Sequence, residues 1–302
     1  MRQPRRTNPF PLGDENLPYS KGLMARALIA IGVSGVRAYE LARRVEVDLA
    51  TRDERVVELD RLQELAIDIL GPIEGREAVR RLRRYRELDQ LDMPIVLLLG
   101  GATGTGKSTV ATEAGYRLGI TRLTSTDFIR QTMRAFFNEE FMPTIHHSSF
   151  EAWRGLPEAE QEEGDPVLRG FLQQTKNVLV GVRASIERAL EEGWSMVLEG
   201  VHLVPGMLPR EIEGAMVVQC VLAVEQEEVH AANFFVRDAA SDGVRPVDKY
   251  LEGLDDIRLI QDFIVRQARK HSVPVVDNGN IDRTVGRVIE LVMDGAERLQ
   301  RV

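Results

Sequence analysis

Cysteine is nearly absent from this chain of 302 residues. The single Cys220 excludes an intrachain disulfide and a cysteine-held metal cluster. It lies inside the apolar run Met216-Val217-Val218-Gln219-Cys220-Val221-Leu222-Ala223-Val224, which reads as a buried strand rather than the setting of a nucleophile. Long hydrophobic runs are missing too. No stretch approaches the ~20 apolar residues that a membrane span needs, so no membrane partner is expected. The basic start Met1-Arg2-Gln3-Pro4-Arg5-Arg6 is followed by no apolar signal region, and a cytoplasmic location is expected. Positive charge is in deficit: Lys and Arg number 39 against 47 Asp and Glu, a net charge of −8. Binding to a nucleic acid duplex rests on neutralising phosphates, so such a partner is not expected. Arginine dominates the basic residues, and no internal repeat is visible.

What is present is ordinary for a globular protein, with 43% hydrophobic and 28% charged residues. This length accommodates two domains. Residues 1–20 begin as loop. Apolar residues then recur at helical spacing (Leu23, Ala27, Leu28, Ile31, then Val36, Leu41, Ala42, Val45, Leu49), giving two short helices. A third helix is predicted from about Arg52 to Leu70, stopped by Gly71-Pro72. Residues 1–72 are therefore expected to form a small helical domain. Residues 73–92 are expected to form a connecting helix rich in arginine, a solvated face in preference to an anion or nucleic-acid contact. From 93 to 302 the pattern alternates strand and helix. Strands are predicted at Ile95–Leu99, Ile120–Ser125, Met196–Leu198, Val217–Val224 and Val273–Val276. The expected fold class is α/β, a parallel five-stranded sheet flanked by helices. Asn138 to Gly164 is irregular and too long for a passive connection. Asp165-Pro166 reads as cap and first residue of a long helix.

The most informative octet is Gly101-Ala102-Thr103-Gly104-Thr105-Gly106-Lys107-Ser108. Apolar strand residues precede it and a helical pattern follows, the grammar of a phosphate-binding loop. Glycines let backbone N–H groups turn inward onto phosphate oxygens, and the helix directs its partial positive end at the same place. Gly101, Thr103, Gly104, Thr105, Gly106, Lys107, Ser108 and Thr109 are the candidate nucleotide-binding residues. Lys107 adds charge on the β and γ phosphates, and the Ser108 hydroxyl can hold Mg²⁺.

Ligands of parallel sheets collect at the strands' carboxyl ends. The second strand ends at Ser125-Thr126-Asp127, and the third at Glu199-Gly200. One of Asp127 and Glu199 can orient Mg²⁺ through water while the other accepts a proton from an acceptor hydroxyl. The apolar Met196-Val197-Leu198 before Glu199 resembles a Walker B strand, which favours a functional role; Asp127 can cap its helix and catalyse at once, and is the preferred proton acceptor, with Glu199 supporting the metal. Arg130 and Arg134 lie four apart on one helix face, suited to an acceptor carrying phosphate or carboxylate. His147, Ser148 and Arg154 in the irregular stretch, and His202 after Glu199, are further candidates for contacts to an anionic acceptor. Arg237 and Arg245 flank the small-residue segment Asp238–Val244, where a mobile lid could bring positive charge over the reaction.

Taken together, Gly101–Thr109, Ser125-Thr126-Asp127 with Arg130, His147-Ser148-Ser149, Leu198-Glu199-Gly200-Val201-His202 and Val273-Pro274-Val275 resemble the 2-phosphoglycerate kinase family. Leu17-Pro18-Tyr19-Ser20-Lys21-Gly22-Leu23 with its helices resembles the ATP-cone domain that often precedes that kinase. The resemblance covers most of the chain. It implies a P-loop kinase sheet and phosphoryl transfer from ATP, with Mg²⁺, to the 3-hydroxyl of 2-phosphoglycerate, giving 2,3-bisphosphoglycerate. One departure concerns the cone, which usually opens with a basic β-hairpin; here that region is the proline-interrupted Asn8-Pro9-Phe10-Pro11-Leu12-Gly13-Asp14-Glu15. A kinase of another small acid, such as a sugar acid, and a non-catalytic nucleotide-binding regulator stay open from the residues alone. So does assembly into a homo-oligomer.

Overall fold

The computed structural model describes residues 19–89, 91–162, 164–240 and 247–300, with backbone alone at 86, 87, 89, 237–240 and 300. The chain divides into two compact units. One comprises residues 1–92, 116–119 and 289–302; the other comprises 93–115 and 120–288.

The described part of the first unit is helical: α1 (Lys21–Ala30), α2 (Gly35–Arg52), α3 (Leu59–Leu70) and α4 (Pro72–Asp89). The Ser20 side chain caps α1 by accepting from the Leu23 N–H. Helix α2 ends where Asp53 turns into the left-handed region at φ 56°. That break explains why α3 starts at Leu59 and not near Arg52 as expected. Leu41, Ala42, Val45 and Leu49 of α2 and Leu62, Leu65 and Ala66 of α3 are buried, the apolar face that the spacing announced. On α4 the buried face is Ala78, Val79, Leu82 and Tyr85. Some of its arginines engage carboxylates of their own unit: Arg84 pairs with Asp294 at 2.6 Å and with Glu297, and Arg81 pairs with Glu77 at 3.0 Å. The residues that would open a cone-like hairpin lie outside the described residues.

The second unit is built on five parallel strands: β1 (Ile95–Gly100), β2 (Arg122–Ser125), β3 (Met196–Gly200), β4 (Met216–Ala223) and β5 (Val275–Asp277). Their order is β2-β3-β1-β4-β5. Every residue of β1 is buried, so both of its faces are covered, as parallel sheets require. Each large aliphatic side chain so buried contributes about 1.5–3 kcal/mol. Between the strands run α5 (Lys107–Arg117), α6 (Thr126–Phe136), α7 (Glu158–Gln161), α8 (Pro166–Glu191), α9 (Glu227–Ala240), α10 (Val247–Glu252) and α11 (Leu254–Lys270); α12 (Ile281–Gln300) follows β5. Ile129, Val178, Leu179 and Val182 of α6 and α8 pack on Val96, Leu98, Met196 and Leu198 of the sheet. A second cluster joins Phe150, Phe171, Val221 and Phe234 to Ile257, Ile260 and Ile264 of α11. Asp165 caps α8, its Oδ1 accepting from the Leu168 N–H at 3.2 Å.

The stretch from 138 to 164, expected to be irregular, holds two short 3₁₀ turns, Pro143–His146 and Ser149–Gly155, besides α7. Ile145, Phe150 and Ala152 anchor it in the core. Strand register fixes the level of the site. Glu199 stands opposite Leu99 on one side and Ser125 on the other, and Gly100 stands opposite Gly200. Three strand ends therefore deliver their loops side by side.

Candidate active site

The loop from Gly101 to Gly106 joins β1 to α5 and takes its shape from its glycines. Gly104 and Gly106 have φ of +83° and +74°, which side chains with a Cβ resist. A Cβ at Gly104 would meet the Phe234 ring at 2.5 Å, and one at Gly106 would meet Asn278 at 2.4 Å. Three successive carbonyls are held from outside the loop. His230 Nε2 donates to Thr103 O at 2.7 Å, Asn233 Nδ2 to Gly104 O at 2.9 Å, and Asn278 Nδ2 to Thr105 O at 2.8 Å. In a trans peptide the N–H points opposite to the C=O. Fixing those carbonyls therefore turns the amides of residues 104, 105 and 106 the other way. Beside the loop lies a polar pocket lined by Thr103, Lys107 and Ser108. The Thr105 hydroxyl and Lys107 Nζ both donate to Ala102 O at 3.0 Å. The Thr105 side chain is thus spent inside the loop, fully buried, and does not line the pocket. Thr109 lies outside that pocket, on a neighbouring depression it shares with Thr112 and Asp282.

The Ser108 hydroxyl donates to Glu199 Oε1 at 2.9 Å. Glu199 is 5% exposed and lines the same pocket. Both side chains offer hard oxygen donors, the kind that Mg²⁺ takes alongside phosphate and water.

At the pocket's other end stand Ser125, Asp127, Arg130, Ser148 and Ser149. Ser125, rather than Asp127, caps α6: its side chain accepts from the Phe128 N–H at 3.0 Å. Asp127 is in the first turn with its side chain 57% exposed. Arg130 is 6% exposed, and its guanidinium is committed inside the protein. Nε and Nη2 donate to Asp127 Oδ1 at 3.1 and 2.8 Å, while Nη1 donates to the carbonyls of Ile145 and His147 at 2.8 and 2.9 Å. A second polar depression continues outward over Arg130, Arg134, His147, Ser148, Arg154 and Lys249. Glu151 sits among these cations, 2.5 Å from Lys249 and 3.4 Å from Arg154. Burial alone would raise its carboxyl; the bond from Lys249 and the two positive charges outweigh burial and hold it below its ordinary range.

The site thus combines a glycine-shaped loop, a serine–carboxylate pair beside it and a cation-rich outer depression. Comparison with known proteins identifies the family. A 2-phosphoglycerate kinase of Methanopyrus kandleri is 38% identical over 91% of this chain and 84% of its own length. That of Pyrococcus horikoshii is 36% identical over 93% and 92%. That of Thermococcus kodakarensis is 37% identical over 94% and 95%. The chain belongs to the 2-phosphoglycerate kinase family. It is an ATP-dependent small-molecule kinase. No family model matches it. A solved gluconokinase from Sinorhizobium meliloti aligns with 69% of the chain at 14% identity and a TM-score of 0.32, a likeness too low to bear on fold or function.

Several expectations for this kinase change with the geometry. His202, expected as an acceptor contact, does not line either depression. It is 1% exposed, and its ring nitrogens meet Thr126 Oγ1 at 2.8 Å and Gln174 Oε1 at 2.9 Å. Burial, with the charges of Arg130 and Lys107, pushes its pKa down to about 3, so it is neutral. Arg130 lines the pocket but is built into its wall, where a ligand-ready arginine was expected. Arg134 is exposed, 3.1 Å from Gln131, and faces the outer depression together with His147 and Arg154. Arg245 lies outside the described residues, as does the Arg237 side chain. Cys220 is buried and its thiol pushed up to about 12, as expected of a strand residue. Among the described residues, no helix is long and apolar enough to cross a membrane.

Sequence reasoning missed His230, Asn233 and Asn278. The first two sit on α9, more than 120 residues from the loop they hold. Only Asn278, just past the carboxyl end of β5, carried a usable signal, its place at a strand end.

Proposed function

We propose that this kinase transfers the γ-phosphoryl group of MgATP to the 3-hydroxyl of 2-phosphoglycerate, giving 2,3-bisphosphoglycerate and ADP. The observation that carries the reading is one continuous polar pocket. It has the loop, Lys107 and Ser108 at one end, and Asp127, Arg130 and Ser148 at the other. The names of the relatives supply the acceptor, and the arginines and Lys249 of the outer depression suit its phosphate and carboxylate.

In this reading the amides of residues 104–106 and Lys107 hold the β and γ phosphates. Ser108 and Glu199 would hold Mg²⁺, which when bound neutralises charge on the transferring group. The acceptor's 3-hydroxyl oxygen forms the new bond to γ-phosphorus while the bond from γ-phosphorus to the β–γ bridging oxygen breaks. Asp127 takes the hydroxyl proton. Its two contacts from Arg130 keep the carboxylate turned toward the pocket. Glu199, buried and engaged with Ser108, serves the metal. Arg134, His147, Ser148, Arg154 and Lys249 bind the acceptor's acid groups.

The test is a coupled ADP assay with magnesium, comparing 2-phosphoglycerate, 3-phosphoglycerate and glycerate. Turnover with 2-phosphoglycerate far above the other two is expected. Preference for glycerate or a sugar acid overturns the acceptor assignment, and ADP release indifferent to any acceptor overturns transfer itself.

A further inference from the structure

We propose that His202 is a positioning residue for phosphoryl transfer, holding the Asp127 end of the pocket and its main-chain wall through Thr126 and Gln174. The inference rests on the reading that this end of the pocket receives the acceptor.

Six residues form a closed circuit of hydrogen bonds and chain linkage. The Thr126 hydroxyl meets His202 Nδ1 at 2.8 Å, and His202 Nε2 meets Gln174 Oε1 at 2.9 Å. Gln174 Nε2 donates to Thr144 O at 2.5 Å and to His147 O at 3.1 Å. Arg130 Nη1 donates to the same His147 carbonyl at 2.9 Å, and Arg130 Nη2 returns to Asp127 Oδ1 at 2.8 Å. Asp127 is the residue after Thr126, so the path closes on itself.

Donor and acceptor accounting permits one assignment. Both amide hydrogens of Gln174 are taken by carbonyls, so its oxygen faces His202 and must accept. Nε2 then carries the imidazole hydrogen, and Nδ1 accepts from Thr126. Burial supports the neutral ring this requires. Thr126, Gln174, His202 and Arg130 are all buried, so water cannot replace a lost partner. Gly200 belongs to the same device. Its φ is +153°, and a Cβ there would lie 1.9 Å from Thr126 Oγ1, so glycine is what admits the hydroxyl. The circuit is not simply core packing, because three of its members, Thr126, Asp127 and Arg130, line the pocket and a fourth, His147, leads directly into Ser148.

The experiment compares His202→Leu, His202→Gln, Thr126→Val and Thr126→Ser in the full-length kinase, with KM and kcat measured separately for MgATP and for the acid that the wild type uses best. His202→Leu and Thr126→Val are expected to lower kcat and raise the acceptor KM about tenfold or more, with the MgATP KM within about twofold. Thr126→Ser, which keeps the hydroxyl, is expected to recover nearly wild-type values. His202→Gln, which keeps the donor to Gln174, is expected to fall between. Nitrogen-15 spectra of the wild-type imidazole are expected to show one neutral Nε2–H tautomer from about pH 5 to 8. An Nδ1–H tautomer overturns the circuit. So do folded His202→Leu and Thr126→Val proteins with wild-type acceptor KM and kcat, or equal losses toward both substrates. Should His202→Leu not fold, Thr126→Val against Thr126→Ser still decides. If the wild type prefers an acid other than 2-phosphoglycerate, the substrate reading fails, while the circuit is still tested on that acid.

Discussion

The Ser108 hydroxyl and Glu199 Oε1 meet at 2.9 Å although 91 residues separate them. Strand pairing makes the meeting possible. Glu199 stands level with Leu99, two positions before the phosphate loop opens at Gly101, and α5 then brings Ser108 back over the strand ends.

Glu199→Gln keeps an acceptor for Ser108 but removes the charge. Half-maximal activity is expected to need roughly 10–100-fold more magnesium, with little change in thermal midpoint. A magnesium titration of turnover checks this. An unchanged requirement removes Glu199 from the metal's surroundings.

Lys107→Ala deletes one cation from the phosphate end of the pocket. A turnover loss of roughly 10²–10³ is expected, comparable to losing one transition-state donor. Activity within about threefold of wild type in the coupled assay would end the P-loop mechanism.

Asn233→Ala and Asn278→Ala each free one loop carbonyl. A net hydrogen bond contributes about 0.5–1.5 kcal/mol, so each change is expected to weaken MgATP binding roughly two- to tenfold. The acceptor KM is expected to stay put. Calorimetry with a non-hydrolysable ATP analogue reads the effect directly. Losses confined to the acceptor would show that the clamps serve something other than the nucleotide.

His202 also ties stability to pH. Its folded pKa, about 3, lies below the ordinary 6.5 of the unfolded chain. The unfolded state therefore binds a proton that the native state refuses. The contribution is full above pH 6.5 and declines as pH falls toward 3. Arg130 and Lys107 reinforce the effect of burial, and Asp127 opposes it. His147 and His230 are depressed in the same sense by burial, so they add to the acid sensitivity. Urea midpoints measured from pH 7 to 4 are expected to fall less steeply in His202→Asn than in wild type. Parallel curves would contradict the assignment.

How much of this was legible in the chain depends on how local each feature is. The loop 101–108 and the carboxylates at two strand ends were readable, because a glycine pattern and a strand terminus announce themselves within a few residues. The parallel sheet followed from alternation of strand and helix. The role of Arg130 was half visible: its spacing of three from Asp127 is an ordinary helical pair, but its bonds to Ile145 and His147 depend on how the 138–164 connection folds back. His202 looked like a ligand contact because it follows Glu199 so closely. Its burial depends on Gln174 arriving from α8, which periodicity does not reveal. Likewise α3 started late because Asp53 left the helical region, a choice of one residue's backbone that apolar spacing cannot register.

The pairing of β3 has one more implication. Side chains alternate along a strand, so a slip of a single residue would present Leu198 or Gly200 where Glu199 now stands and, in the proposed mechanism, remove the metal's carboxylate. The proposed nucleotide end of the pocket thus depends on strand alignment, which tolerates no drift. In the proposed reading, much of the wall that meets the acceptor comes from one excursion of chain, residues 138–164, whose described residues pair with no strand. That excursion is the piece a protein engineer could exchange to retarget the enzyme while leaving its sheet untouched.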